Sequence, residues 1–110
     1  MKHLSDCYVL LTTAPSVAAA ESIAKQVLDK QLAACVNLVP QVRSFYRWQG
    51  KIACDEEVQL VIKTTAALLD ELEQLIRSVH PYEVPELIAL PIAAMSDDYQ
   101  NWLLKSVKSC

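Results

Sequence analysis

Glycine is almost missing from this chain: Gly50 is the only one in 110 residues. A P-loop or a dinucleotide-binding fingerprint needs several glycines, so phosphate cradles of that kind are excluded. Histidine occurs only as His3 and His80. One chain therefore cannot assemble a three-imidazole catalytic zinc site, and no H-E-x-x-H is present. The four cysteines, Cys7, Cys35, Cys54 and Cys110, lie far apart with no C-x-x-C pair, which suits a reducing, cytoplasmic setting. Cys7, Cys35 and Cys54 read as small apolar residues in or beside strands, and Cys110 as terminal and exposed. The ten basic residues are scattered and the net charge is −3, so no electrostatic footprint for nucleic acid exists. No apolar run approaches the roughly 20 residues that span a bilayer. The start of the chain has no long apolar stretch, so no secretory signal is expected. No G-x-S-x-G and no paired histidine marks a nucleophile.

What is present is strong periodicity. Cys7 to Thr13 is almost continuously apolar, as in a strand covered on at least one face. Pro15-Ser16 opens a helix whose inward stripe reads Val17, Ala20, Ala24, Val27, Leu28 and Gln31. Ala33 to Val39 and Val42 to Trp48 form one strand-like run, interrupted at Pro40, where only an edge or a bulge is tolerated. Gly50 marks a hairpin turn, and Ile52 to Thr65 returns with Val58, Leu60 and Ile62 alternating inward. Thr65 is placed to cap a helix carrying Leu68, Leu72, Leu75, Ile76 and Val79. Leu87 to Ile92 reads as a short buried strand that Pro91 ends. Asp97 to Gln100 resembles a capping box before a last helix that turns Tyr99, Trp102, Leu103 and Val107 inward.

The order is β-α-β-β-α-β plus a terminal helix. This predicts one α+β domain over residues 1–110, with a loose tail over residues 1–6. The expected fold is ferredoxin-like: a four-stranded antiparallel sheet with two helices on one face. The middle hairpin is too long for such a protomer. Val36 to Trp48 would span roughly 40 Å at ~3.3 Å per residue, against ~17–20 Å for an ordinary strand. Phe45, Tyr46 and Trp48 at its tip would stand in water. Either the hairpin folds back on its own sheet through a bulge, or sister copies cover it in a closed homo-oligomer. The second is the expectation.

Chemistry points to one segment, His80-Pro81-Tyr82-Glu83-Val84-Pro85-Glu86. Two prolines stop both helix and sheet there and hold a stiff loop bearing an imidazole, a phenol and two carboxylates. His80, with Glu83 or Glu86, can hold a cation, or His80 can bond locally and pack on Pro81 or Tyr82. Glu83 and Glu86 can act as a carboxylate pair, or one can pair with Arg47 or Lys63. Lys63, near the end of a central strand, is the candidate for anion binding, or else it snorkels.

Several blocks in order and spacing resemble the CutA divalent-cation tolerance family over residues 7–107. They are Thr13-Ala14-Pro15, Leu32 to Asn37, Tyr46 to Lys51, Glu57 to Thr64, His80 to Glu86, and Tyr99 with Trp102. The resemblance implies a cytoplasmic, non-enzymatic homotrimer joined by the long hairpins through Phe45, Tyr46 and Trp48. It also implies weak binding of copper or another divalent cation, with no organic cofactor and no membrane or nucleic-acid partner. His80 would be the best single ligand, with Glu83 and Glu86 as further donors. Some family members carry a cysteine and a second histidine where this chain has Thr12 and Val79. The alternative implied is a trimeric small-molecule sensing module similar to the PII signalling proteins, with a cleft near Lys63, Tyr82 and Glu86.

Overall fold

The structure, a computed structural model, describes residues 2, 3 and 6–109, without the side chains of residues 2 and 3. Cys110 and part of the expected loose tail fall outside that range. The described elements run β1 (Lys2–His3), β2 (Cys7–Ala14), α1 (Val17–Asp29), β3 (Cys35–Trp48), β4 (Lys51–Thr65), α2 (Leu69–Val79), β5 (Ile88–Pro91), β6 (Ala94–Met95) and α3 (Asp97–Ser106). Four strands form one antiparallel sheet in the order β3-β4-β2-β5. Lys2–His3 pair separately with Ala94–Met95.

One core explains the arrangement. Leu10 and Ala14 of β2 and Val58, Leu60 and Ile62 of β4 point to the same face. There they meet Ala20, Ile23 and Val27 of α1 and Leu72 and Ile76 of α2, with Leu68 from the turn before α2. Even-numbered positions on both strands share that face because side chains alternate along a strand. The inward stripe of α1 is rotated from the expected one. Ala20 and Val27 are buried as expected and Ile23 joins them, whereas Val17 and Leu28 are exposed. A second, smaller cluster joins Cys7, Ala34, Met95 and Leu103, which seats α3 beside the opposite face of the sheet.

The ends of the elements follow local chemistry. Ser16 caps α1, its hydroxyl accepting from the Ala19 N–H at 3.1 Å. The helix closes with the Leu32 N–H donating to the Val27 carbonyl and the Gln31 N–H to that of Leu28. That paired closure needs a left-handed residue, and Gln31 takes it at φ 55. The cap of α3 is Ser96, bonded to the Tyr99 N–H, one residue before the expected Asp97. Thr65 is extended at the start of the turn before α2, but its side chain makes no capping bond.

The hairpin is long, as expected. Gln49 and Gly50 both have positive φ, 50 and 78, the geometry of a two-residue type I′ turn. Partners shift register between Val39 and Val42, so Pro40 and Gln41 form a bulge. β2 pairs with β4 only as far as Ala14↔Val58. Outward of that point, Val42–Trp48 and Lys51–Glu57 form a two-stranded ribbon. On it Phe45, Trp48 and Ile52 are 67, 62 and 76 % exposed. β5 is correctly short and ends at Pro91, but it is not buried: Ile88 and Leu90 are each 48 % exposed. Tyr99 and Trp102 also face outward rather than inward. Cys54 is exposed, because it sits on the projecting ribbon opposite Phe45.

Scarcity of glycine leaves Gln31, Gln41 and Gln49 in the left-handed region, where a residue with a Cβ is disfavoured by roughly 1–2 kcal/mol. Gln31→Gly is therefore expected to stabilise the fold by about 1 kcal/mol, less the extra entropy glycine loses on folding. Urea unfolding of the purified variant checks this, and a lower midpoint would contradict the assignment of strain to Gln31.

Candidate functional site

The loop after α2 is held by four hydrogen bonds in series. The His80 N–H donates to the Ile76 carbonyl at 2.8 Å and ends the helix. His80 then turns extended, with φ −76 and ψ 137, as a residue before proline should. Its ring is buried, only 8 % exposed. Nε2 lies 2.6 Å from the Thr13 carbonyl, and Nδ1 lies 3.0 Å from the Tyr82 backbone N–H. A carbonyl only accepts and an amide N–H only donates. The tautomer that satisfies both therefore carries its proton on Nε2 and its lone pair on Nδ1. The Thr13 carbonyl is available because β5 reaches only to Ile88, opposite Leu11.

Tyr82 continues the series. Its hydroxyl donates to Glu57 Oε2 at 2.9 Å, and its ring packs against His80 at 4.9 Å between centroids. Glu57 is buried where the ribbon leaves the sheet. The Tyr82 phenol is pushed up to about 12, first by burial and then by the bond to Glu57 and the carboxylate's charge. On the ribbon Tyr46 repeats the motif, donating to Asp55 Oδ2; that bond is the main cause raising its phenol. Between loop and ribbon lies an open groove of about 860 Å³, lined among others by Thr13, Tyr46, Trp48, Tyr82, Glu83 and Glu86.

The residues expected to act together are only partly brought together. Tyr82 and Glu86 share the groove wall, and Glu83 stands beside them. Glu83 and Glu86 are exposed, and neither is ion-paired among the described residues. Lys63 lies six residues along β4 from Glu57, about 20 Å away at strand rise. There it donates to Asn37 Oδ1 and lies 3.9 Å from Cys35 Sγ. Phe45, Tyr46 and Trp48 stand together at the ribbon's end. A resident metal does not fit these residues. The one lone pair of His80 is taken by the Tyr82 N–H, and a metal-binding imidazole needs that lone pair. Thr12 offers a hydroxyl, a poor ligand for copper. No three His, Cys, Asp or Glu side chains converge among the described residues. Sequence reasoning missed Glu57 and Asp55, since nothing in the alternation of β4 marks which of its carboxylates a distant tyrosine will meet.

With this geometry in view, comparison with known proteins is decisive. Residues 8–106 match the CutA1 divalent ion tolerance protein model. This chain belongs to that family. It is 46% identical over 95 residues to the divalent-cation tolerance protein CutA of Thermus thermophilus, covering 86% of this chain and 92% of that one. It is 47% identical over 97 residues to human protein CutA, covering 88% of this chain but 54% of the human protein, so it spans about half the length of that relative. The crystal structure of CutA1 from Oryza sativa superposes with a TM-score of 0.93 at 40% identity, covering 96% of each chain. Within the CutA1 fold, His80 serves this protein as a tie between α2, β2 and the proline loop.

Two outcomes follow. Tyr82→Phe removes the donor to Glu57 and is expected to cost about 1–3 kcal/mol at neutral pH. Because the folded phenol titrates near 12 and an unfolded one near ~10, its contribution is complete below pH ~10. It is lost as pH rises through about 12. Urea unfolding across alkaline pH should show a shallower fall for Tyr82→Phe than for wild type, and parallel curves would refute the bond's role. Separately, Thr12 is wholly buried and its hydroxyl has no partner among the described residues. Thr12→Val keeps the shape and is expected to raise stability by about 1 kcal/mol; a loss in thermal melting would show that the hydroxyl is satisfied.

Proposed function

We propose that this protein is a cytoplasmic, non-catalytic homotrimer of divalent-cation tolerance, built on a ferredoxin-like protomer, whose effect does not run through a metal seated on His80. The observation that carries the reading is the ribbon. Fourteen residues, Val42–Trp48 and Lys51–Glu57, have no third strand among the described residues, and an isolated two-stranded ribbon is marginal in water. Phe45, Trp48 and Ile52 on it are exposed. The sheet adds a second argument: Val9, Leu11, Val61, Ile88 and Leu90 share the face opposite α1 and α2. Closed symmetric association covers both surfaces at once. The non-catalytic part rests on His80, whose two nitrogens are engaged with backbone groups and so leave no imidazole free to act as a general base. A second reading, a trimeric small-molecule sensing module, is favoured by Lys63, which has no carboxylate partner among the described residues.

Sedimentation equilibrium at micromolar concentration is expected to give three times the 12.3 kDa protomer mass, and Trp48→Asp with Ile52→Asp is expected to release protomers. A folded wild-type protomer at that dilution would overturn the trimer. Cells lacking the gene and grown in rising copper should be rescued by wild type and by His80→Gln, and not by the ribbon variant. Failure of a trimeric, folded His80→Gln protein to rescue would restore the histidine to the cation response.

A further inference from the structure

The groove between ribbon and loop, the free thiols and the open sheet face all belong to the site or the assembly already described. Lys63 does not. It lies on the sheet face away from α1 and α2, half-buried, opposite Cys35 on one side and Val9 on the other. Its ammonium carries three donors. Among the described residues they reach only neutral groups, the Asn37 carbonyl oxygen and the Cys35 sulfur. Neutral partners do not offset a cation, and a charge held partly out of water is costly unless an opposite charge meets it.

Three further groups lie on the neighbouring strand and on α3. Because Lys63 can only donate, Asn37 must turn its oxygen toward the lysine, which leaves its amide N–H groups facing away; no partner for them exists among the described residues. Burial first, and then the nearby Cys35 thiol, push the Tyr99 phenol up. Tyr99 and Trp102 form a ring pair 5.4 Å apart, exposed on α3, which Leu103 anchors against Cys7 and Ala34. The result is a cation on the open sheet face, an amide beside it, and a phenol and an apolar ring pair on the helix packed at that end of the face.

We propose that Lys63, Asn37, Tyr99 and Trp102 form a binding site for a small organic anion, an oxyanion group carried on a flat apolar body. The oxyanion accepts from the Lys63 ammonium and the Asn37 amide, and the body stacks on the exposed ring pair. This rests on the small-molecule reading above and names the ligand class for it. The site is separate from the groove at Tyr82 and Glu86, and its charge preference is opposite, since the groove holds carboxylates and no cation.

The test uses the intact, isotope-labelled protein in its native assembly. Three probes are titrated while amide and indole resonances are followed: benzoate, inorganic phosphate and benzyl alcohol. Benzoate is expected to give saturable shifts at the Trp102 indole N–H and around Lys63. Phosphate should bind more weakly, for want of a ring, and benzyl alcohol should give no saturable shift. Lys63→Gln is expected to weaken benzoate about tenfold, and Trp102→Ala to weaken benzoate while leaving phosphate unchanged. Asn37→Ala serves as a second probe should Lys63→Gln fail to assemble. Saturable benzoate shifts elsewhere, unaffected by Lys63→Gln or Asn37→Ala, overturn this site and leave the sensing reading standing. No saturable shift with any of the three probes overturns the site, and a metabolite thermal-shift screen that is also blank removes the sensing reading with it.

Discussion

β4 is nearly twice as long as the strand it shares. It has 15 residues and pairs with β3 from Lys51 to Lys63, but β2 has only eight residues to offer. The inner half of β4 is therefore a central strand with a helix-covered core, and the outer half belongs to a two-stranded ribbon that meets the proline loop at its base. The site is built at that junction. Glu57 is the first residue outward of the last β2 partner, and it is where Tyr82 lands. Thr13 is within the last turn of strand before β2 ends, past the reach of β5, and it is where His80 lands. A shorter β4 would remove the groove wall, and a longer β5 would claim the Thr13 carbonyl.

Four bonds then carry rigidity from the helix end to the ribbon: Ile76 to His80, His80 to Thr13, His80 to Tyr82, and Tyr82 to Glu57. Each uses a group that burial would otherwise leave unsatisfied. In this arrangement the imidazole is a two-sided spacer between a carbonyl and an amide. That role and metal ligation compete for one lone pair. Membership of a cation-tolerance family and a histidine tied to backbone groups are compatible only if tolerance does not require that histidine to hold the cation.

Much of the fold was legible because it rests on short-range rules. The alternation of Val58, Leu60 and Ile62, the stripe of Leu68, Leu72 and Ile76, and the turn at Gly50 are all local. The errors share a cause as well. Ile88 and Leu90 read as buried because they are apolar, and Tyr99 and Trp102 read as inward for the same reason. Sequence pattern records a wish to be covered, not which chain does the covering. The cluster at Lys63 was hidden by one residue of register. Partner numbers on β3 and β4 add to 99 from the turn outward of the bulge and to 98 inward of it. Counting from the turn alone would set Val36 opposite Lys63. The bulge at Pro40 and Gln41 sets Cys35 there and brings Asn37 onto the same face. Proline in a strand announces a bulge, but not its size.

The two faces of the sheet are treated unequally, and that inequality joins assembly to ligand. One face is sealed by α1 and α2. The other has α3 beside one end only, against Cys7 and Ala34, and beyond that end runs an apolar patch from Val9 and Leu90 to Leu11, Val61 and Ile88. Lys63 sits at the border, in the row of Val9 and Leu90. If sister copies cover the patch, water withdraws from around the ammonium, and the cost of leaving it without an opposite charge rises. A trimer thus sharpens the demand for an anion at a place the lone protomer leaves half wet. Either a sister carboxylate or a diffusible one must meet it. The free Asn37 amide and the exposed rings of Tyr99 and Trp102 favour the diffusible one, because a buried ion pair between subunits would have no use for an open aromatic plate.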